Sequence, residues 1–360
     1  MRDSHQYKCI LYDNLSYEHL ENIWLDLEKK SVANFFISWN WIGNWLKQHV
    51  HKHKSLIVYY GDEVVGCGII IESKSFFRNT YYLNHTGDDN LDQVWIEHNN
   101  FVIDNRHNEN VKLIIANKLH SMINVFDKIV VGVSELRSID YLTSKKIHSR
   151  NVWAANSYKI NFLKIKEKNI NVDDTLSSNF KRQIKRSIKK YNAYGELRLS
   201  EANGNAQAQE WFDDMAKYHQ KKWSEDSGFN NKDFIRFHKS MINSDQNCEH
   251  IKILKLEAGT HLAGYVYLYI YNNEAYFYLS ALNYDLPHRH CKPGLTIHYL
   301  IICKLWIDGL NGYDFLGGES RYKKSFSNEA VELVKVDLQR SSLWTVMLNS
   351  LRNIKNKISV

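Results

Sequence analysis

The only two prolines of the chain, Pro287 and Pro293, lie in one short segment, Pro287-His-Arg-His-Cys-Lys-Pro-Gly294. Arg289, Lys292 and two histidines gather positive and titratable groups there, beside a glycine that opens an apolar run. The first N–H groups of a helix lack intrahelical partners and carry the positive end of its dipole, so a helix starting at this point binds an anion. With such cations at hand the expected anion is a diphosphate, cradled by Pro293, Gly294 and Leu295. The alternative is a plain strand-to-helix connection that the prolines stiffen.

The flanking sequence supplies the elements that would position this loop. Before it, Ile251–Glu257, Leu262–Tyr271 and Glu274–Ala281 have the alternating, β-branched and aromatic character of strands, joined by short turns at Ala258–His261 and Asn272-Asn273. After it, Leu295, Tyr299, Ile302, Leu305 and Trp306 recur at helical spacing, and the run stops at Gly309 and Gly312. A short apolar strand over Tyr313–Gly317 leads into Gly318-Glu-Ser-Arg-Tyr-Lys-Lys-Ser-Phe326.

An earlier part of the chain echoes this plan. Ser55–Tyr60, Gly61-Asp62 and Glu63–Ile71 parallel Ile251–Glu257, Ala258-Gly259 and His261–Leu268, with Gly66 aligned to Gly264. Aromatic-rich helices, Phe35–Gln48 and Ala206–Trp223, precede the two hairpins. The echo predicts two copies of one α/β module, with a boundary near Lys164–Thr175, where the sequence is polar. We expect a first module over 1–165, a second over 166–345 and a C-terminal helix or tail over 346–360. One larger domain with a coincidental pair of hairpins is the alternative.

The 360 residues are enough for two cores, and no stretch approaches the roughly 20 apolar residues of a membrane span. The N-terminus lacks the apolar core of a signal peptide, which places the protein in the cytoplasm. Five scattered cysteines indicate neither a disulfide framework nor a zinc knuckle, and His49, His51 and His53 have no carboxylate or cysteine to complete a site, so no metal is expected. A net charge of +7 is modest for this length, and DNA is not an expected partner. Between Phe180 and Tyr191, however, six cations surround an apolar stripe of Phe180, Ile184, Ile188 and Tyr191. This is either a solvated amphipathic helix or one that guides a polyanion, with Lys185 and Arg186 among the contacts.

The basic helix ending at Gly195, the helix Met215–Trp223, the hairpin with Leu262-Ala-Gly264, and the order Pro293-Gly294, helix, Asp314-Phe-Leu-Gly317, Tyr322-Lys323, Phe326 resemble one family. It is the BioF2-like or CelD-like acyltransferase family of the GNAT superfamily, itself similar to the Fem peptidoglycan aminoacyl ligases. The resemblance is closest over Phe180–Phe326 and looser in the first half. It implies an α/β (α+β) fold of two tandem GNAT-like modules, each a mixed central sheet flanked by helices. It also implies acyl-CoA as donor, with the pyrophosphate on the helix at Gly294. Lys292 stands where GNAT loops usually have glycine, which predicts crowding of the diphosphate or a different donor.

By the same resemblance Lys323 lies at the acyl-transfer site, where a fixed ammonium would stabilise a tetrahedral oxyanion. Glu319, four residues earlier, is the candidate base, and Trp223 and Tyr322 are implied on the substrate side. Asp88, Asp92 and Glu97 crowd one loop of the first half that would grip an amine or sugar hydroxyls, or else form a capped turn. The implied activity is N-acyl transfer from acyl-CoA to a small or sugar-linked amine, in the making of cell-surface polysaccharide. The alternatives are a Fem-like ligase fed by aminoacyl-tRNA and acting on a cell-wall precursor, and a non-catalytic binding protein on a degenerate GNAT fold.

Overall fold

A computed structural model describes residues 6–49, 52–75, 78–123, 128–143, 147–244, 249–285 and 288–340. The expected tail over 346–360 lies outside these residues, as do Pro287, His51 and Cys248. The chain forms two compact units, one running to Ala154 and resuming at Glu332, the other spanning Ala155–Val331.

The first unit contains β1 (Tyr7–Asp13), α1 (Tyr17–Glu28), α2 (Trp39–His49), β2 (Lys54–Tyr60), β3 (Glu63–Ser75), β4 (Arg78–Leu83), β5 (Val102–Ile103), α3 (Asn108–Met122), β6 (Lys128–Glu135) and α4 (Leu136–Ile139). From β7 (Ile147–Asn161) the chain enters the second unit, with α5 (Phe162–Glu167), α6 (Val172–Thr175), α7 (Ser178–Tyr191), β8 (Leu197–Glu201), α8 (Gly204–Trp223), α9 (Lys232–Asn243), β9 (Ile251–Ala258), β10 (His261–Tyr271) and β11 (Glu274–Leu282). After α10 (Pro293–Ile307), β12 (Gly312–Gly317) and α11 (Arg321–Phe326), the chain returns to the first unit in β13 (Glu329–Arg340).

The two units repeat one topology. In the first, β1, β2, β3 and β4 form an antiparallel meander, and β6 joins β4 in parallel. In the second, β8, β9, β10 and β11 form the same meander, and β12 joins β11 in parallel. A parallel neighbour requires a crossover, which α3 and α10 provide. The aligned hairpins agree residue by residue. Each has a two-residue turn opened by a glycine with positive φ, +56° at Gly61 and +60° at Gly259. Each also has a one-residue bulge just before the aligned glycine, so that Tyr59 pairs with Val64 and Val58 with Gly66, while Glu257 pairs with Leu262 and Leu256 with Gly264. Gly264 has a φ of +150°, and a Cβ there would stand 2.7 Å from the Ala281 carbonyl oxygen, so the bulge holds that position to glycine. The helix directly before β9 is α9, so α8 is the first of two helices and matches α1 in order, where the sequence pairing had set it against α2.

The last strand of each sheet is exchanged in sequence. In the first unit β6 pairs antiparallel with β13, from Leu333 opposite Glu135 to Gln339 opposite Lys128. In the second, β12 pairs with the end of β7, Gly312 opposite Asn161 and Asp314 opposite Lys159. The segment that follows β6 thus completes the second sheet, and the one that follows β12 completes the first.

Each unit has its own core. That of the first includes Leu56, Val58, Val111, Ile115, Ile129, Val131, Val334 and Val336. In the second, the apolar α10 lies between the sheet and α7, burying Leu295, Ile297, Ile301, Ile302 and Leu305 with Phe180 and Ile184 of α7. Lys164–Thr175, polar in sequence, still contributes Ile165 and Val172 to this core. The cores rest on helix and strand faces whose burial stabilises by about 25 cal/mol per Å² of apolar surface.

Candidate functional site

Among the described residues the second sheet opens between β11 and β12. β11 and β12 pair over three positions only, from Glu274 opposite Gly312 to Tyr276 opposite Asp314, although β11 runs on to Leu282 and β12 to Gly317. On its other edge β11 stays paired with β10 as far as Leu282 opposite Gly264. Both strands are bulged just where the ladder ends. In β11 the register slips at Tyr278, opposite Tyr267 and Leu268, and in β12 it slips between Asp314 and Gly317. Leu316 takes a φ of +56° there, and the Asp314 carboxylate holds the turn by accepting from the Leu316 N–H and the Ser157 hydroxyl, each at 2.7 Å. Bulges bend a strand and end its pairing, so these two part the strands.

The N-terminus of α10 stands against the open end of β11. A Cβ on Gly294 would lie 3.0 Å from Leu282 Cδ1, so the glycine allows this close approach. Lys292 has φ −120°, which needs no glycine. Its Nζ donates to Gln183 Oε1 at 2.9 Å and its N–H to Ser187 Oγ at 2.8 Å, and Ser187 in turn bonds Thr296 Oγ1 at 2.7 Å. The side chain is thereby turned along α7 and off the helix axis. The crowding expected of Lys292 is therefore relieved, while one N–H of the loop is spent on Ser187. Arg289 is exposed, and His290 has a lowered pKa, from lost solvation first and then from Arg186, Arg289, His288 and Lys190. Cations thus surround this helix start. Lys185 and Arg186 belong to the exposed face of α7, whose other face buries Phe180, Ile184, Ser187 and Tyr191. Ser177 caps that helix by accepting from the Phe180 N–H at 3.3 Å.

Lys323 and Tyr322 lie on α11, a short helix capped by Ser320. Lys323 is 8% exposed. Its ammonium donates to the carbonyls of Gly317 at 2.8 Å and Leu316 at 3.4 Å, at the open end of β12, and lies 5.8 Å from the Phe277 ring centre. Glu319 is exposed and accepts from Tyr158 Oη at 2.7 Å, Asn156 Nδ2 at 2.8 Å and Asn156 N at 3.3 Å. Tyr158 first, then Asn156, hold its pKa below the ordinary carboxylate value. A carboxylate stabilised in this way is a weaker base than a free one.

The remaining candidates are placed otherwise. Trp223 is 51% exposed at the end of α8. Asp88, Asp92 and Glu97 belong to the first unit. Asp92 accepts from Thr86 N, Thr86 Oγ1 and Gly87 N, and Asp88 from Asn90 N and Leu91 N, so these two carboxylates form the capped turn. The first unit has no comparable opening among its described residues. β4 stays paired with β6 through its last residue, Leu83 opposite Val131. Asn84 then accepts from Ile69 N and donates to Asn99 Oδ1 and Asn100 O, stapling the position shut.

Sequence reasoning missed His298, on the second turn of α10. It is fully buried, bonded through Nδ1 to Tyr313 Oη at 2.9 Å and stacked on Tyr322 at 5.2 Å. A lone histidine four residues after Gly294 in an apolar run was the available signal. Burial first, and then the Lys323 charge, push it down to about 3, and burial pushes His219 down to about 4. Both bind a proton more weakly folded than unfolded. Their contribution is therefore full above the ordinary value of 6.5 and is lost as pH falls through the window toward 3. Urea unfolding free energy should decline from pH 7 to pH 4, and His298→Phe should flatten that decline; an unchanged slope in the variant would remove His298 from the account.

Residues 178–324, all within the second unit, match the family model described as acetyltransferase (GNAT) domain. The crystal structure of FemX superposes with a TM-score of 0.60 at 10% identity, over 95% of this chain and 99% of that one. The C-terminal domain of a putative lysylphosphatidylglycerol synthetase from Agrobacterium fabrum gives 0.54 at 8% identity, over 91% and 93%. L-PGS from Bacillus licheniformis gives 0.50 at 9%, over 92% and 96%. At such identities the likeness is one of fold. Comparison with curated proteins by sequence gives no match.

Proposed function

On this GNAT-superfamily, Fem-related fold we propose that the second unit is an N-acyltransferase that moves an acyl group from acyl-CoA to an amine. The observation that carries the reading is the opening between β11 and β12, with the N-terminus of α10 and its cations at one edge and the buried Lys323 ammonium at the other. The acyl-pantetheine would lie in the opening, with its diphosphate on the Gly294 and Leu295 N–H groups and near Arg289. Lys323 would face the carbonyl oxygen, and Tyr322 and Trp223 the acceptor. Glu319 is left as a structural anchor by its three donors, and the amine proton passes to the departing thiolate through water.

The acceptor we assign to amino sugars of cell-surface polysaccharide on the family resemblance, with the reaction in the cytoplasm. Among the described residues no helix is long and apolar enough to cross a membrane. A second reading, a ligase fed by aminoacyl-tRNA, is favoured by the exposed cations of α7 and by the loop N–H that Ser187 occupies.

The test is to incubate the protein and an amino-sugar acceptor with acetyl-CoA or with charged tRNA. Thiol release with acetyl-CoA supports the first reading and tRNA deacylation the second; failure to see either reaction refutes both. Replacing Lys185, Arg186 and Lys189 with glutamine should raise KM for the anionic donor, more at low salt than at high salt, with little loss of stability. Unchanged KM would make that face of α7 mere solvated surface.

A further inference from the structure

His298 stands where the two strands part. Its ring centre lies 4.6 Å from that of Phe277 on β11 and 5.4 Å from that of Phe315 on β12. These are the first residues beyond the last ladder pair. The side chain is fully buried, yet Nε2 has no hydrogen-bond partner among the described residues. Buried polar atoms are nearly always paired, by protein or by water, so an orphan at the apex of an opening is free to pair with a ligand atom that enters there.

Counting donors fixes the tautomer. If Nδ1 carried the proton, both the buried Tyr313 hydroxyl proton and the Nε2 lone pair would be left unmatched. If Tyr313 donates to Nδ1, only Nε2–H is left over. The two imidazole nitrogens point in nearly opposite directions, so Nε2–H faces away from the Tyr313 hydroxyl. Tyr322, half-buried, stacks over the ring at an interplanar angle of 18° and must turn aside as a donor enters.

We propose that His298 is a second catalytic donor of the acyl-transfer site, its uncharged Nε2–H held for the acyl oxygen beside the Lys323 ammonium. This rests on the acyltransferase reading above. The amine lone pair forms the new C–N bond while the carbonyl π pair moves onto oxygen, giving an oxyanion that the two donors share. Collapse restores C=O and breaks the C–S bond, and the thiolate leaves with that electron pair. The proton shed by nitrogen ends on the thiol, so His298 gives up none. A neutral donor suits this place, because a second cation next to Lys323 would be repelled.

The test compares His298→Phe, which keeps a flat ring without the donor, with His298→Gln, whose side-chain amide can restore an N–H. With whichever donor the wild type turns over, His298→Phe should lower kcat between about tenfold and a hundredfold at nearly unchanged KM, and glutamine should recover part of the loss. Nitrogen NMR of histidine-labelled wild type should show the Nε2–H tautomer, and its resonance should move with a CoA analogue whose thioester is a ketone but not with CoA itself. Full kcat in His298→Phe, equal losses in both variants with raised KM, an Nδ1–H tautomer, or an equal response to both ligands would each overturn the role while leaving the acyltransferase reading intact. Absence of turnover by the wild type with either donor would overturn both.

Discussion

Lys323→Met is expected to lower kcat by about a hundredfold or more while leaving donor affinity nearly intact, as removal of one oxyanion donor does. The expectation rests on a buried ammonium fixed by the carbonyls of Gly317 and Leu316 at the mouth of the opening. In such a water-poor place the positive charge costs little reorganisation as the oxyanion forms. The substitution also leaves those carbonyls short of a donor, so a stability loss of about 1–3 kcal/mol should accompany it without unfolding the chain. Arginine should rescue poorly, because a planar fork cannot occupy the position of a point charge. Lys324→Met is the control: Lys324 is exposed, and successive residues on α11 point about 100° apart. Normal turnover in Lys323→Met, measured with the donor that the wild type uses, would end the proposed mechanism.

The second large effect concerns the whole chain. Residues 1–165 and 166–360, expressed separately, should each fail to give a cooperative urea transition, and co-expression should restore one. Residues 1–165 lack β13, the partner of β6, and residues 166–360 lack β7, the partner of β12. Each half would expose a bare interior strand edge, an aggregation hazard as well as a loss of pairing. A sharp two-state transition from either half alone would show that the exchanged strand is dispensable.

Much of this architecture was legible because it is local. The hairpin before the opening was marked by period-two patterning, and its Asn272-Asn273 turn has positive φ at both residues, which asparagine tolerates. The apolar helix after Gly294 and the duplication around Gly66 and Gly264 were marked by the same kind of short-range pattern. α11 was not, since six residues hold too few turns for a helical period to show. Lys292 was read as an obstacle because its direction depends on Gln183, more than a hundred residues away in sequence. Glu319 was read as a base because the three donors that restrain it come from Asn156 and Tyr158, more remote still in sequence. The spare acidic loop was readable either way until the hydrogen bonds of Asp88 and Asp92 were known. His298 was hidden by the hydrophobicity of its neighbours.

The exchange of final strands also sets a timetable for synthesis. Lys128 of β6 meets Asp337 of β13 across 209 residues. At about 5–20 residues per second of translation, β6 waits on the order of 10–40 s for its neighbour. The first sheet therefore cannot be finished on the ribosome before the second has been almost wholly made, and the usual order, N-terminal domain first, does not apply. During that interval the edge of β6 is open to wrong partners, so the yield of this protein in a cell should depend on chaperone supply more than its stability once folded would suggest.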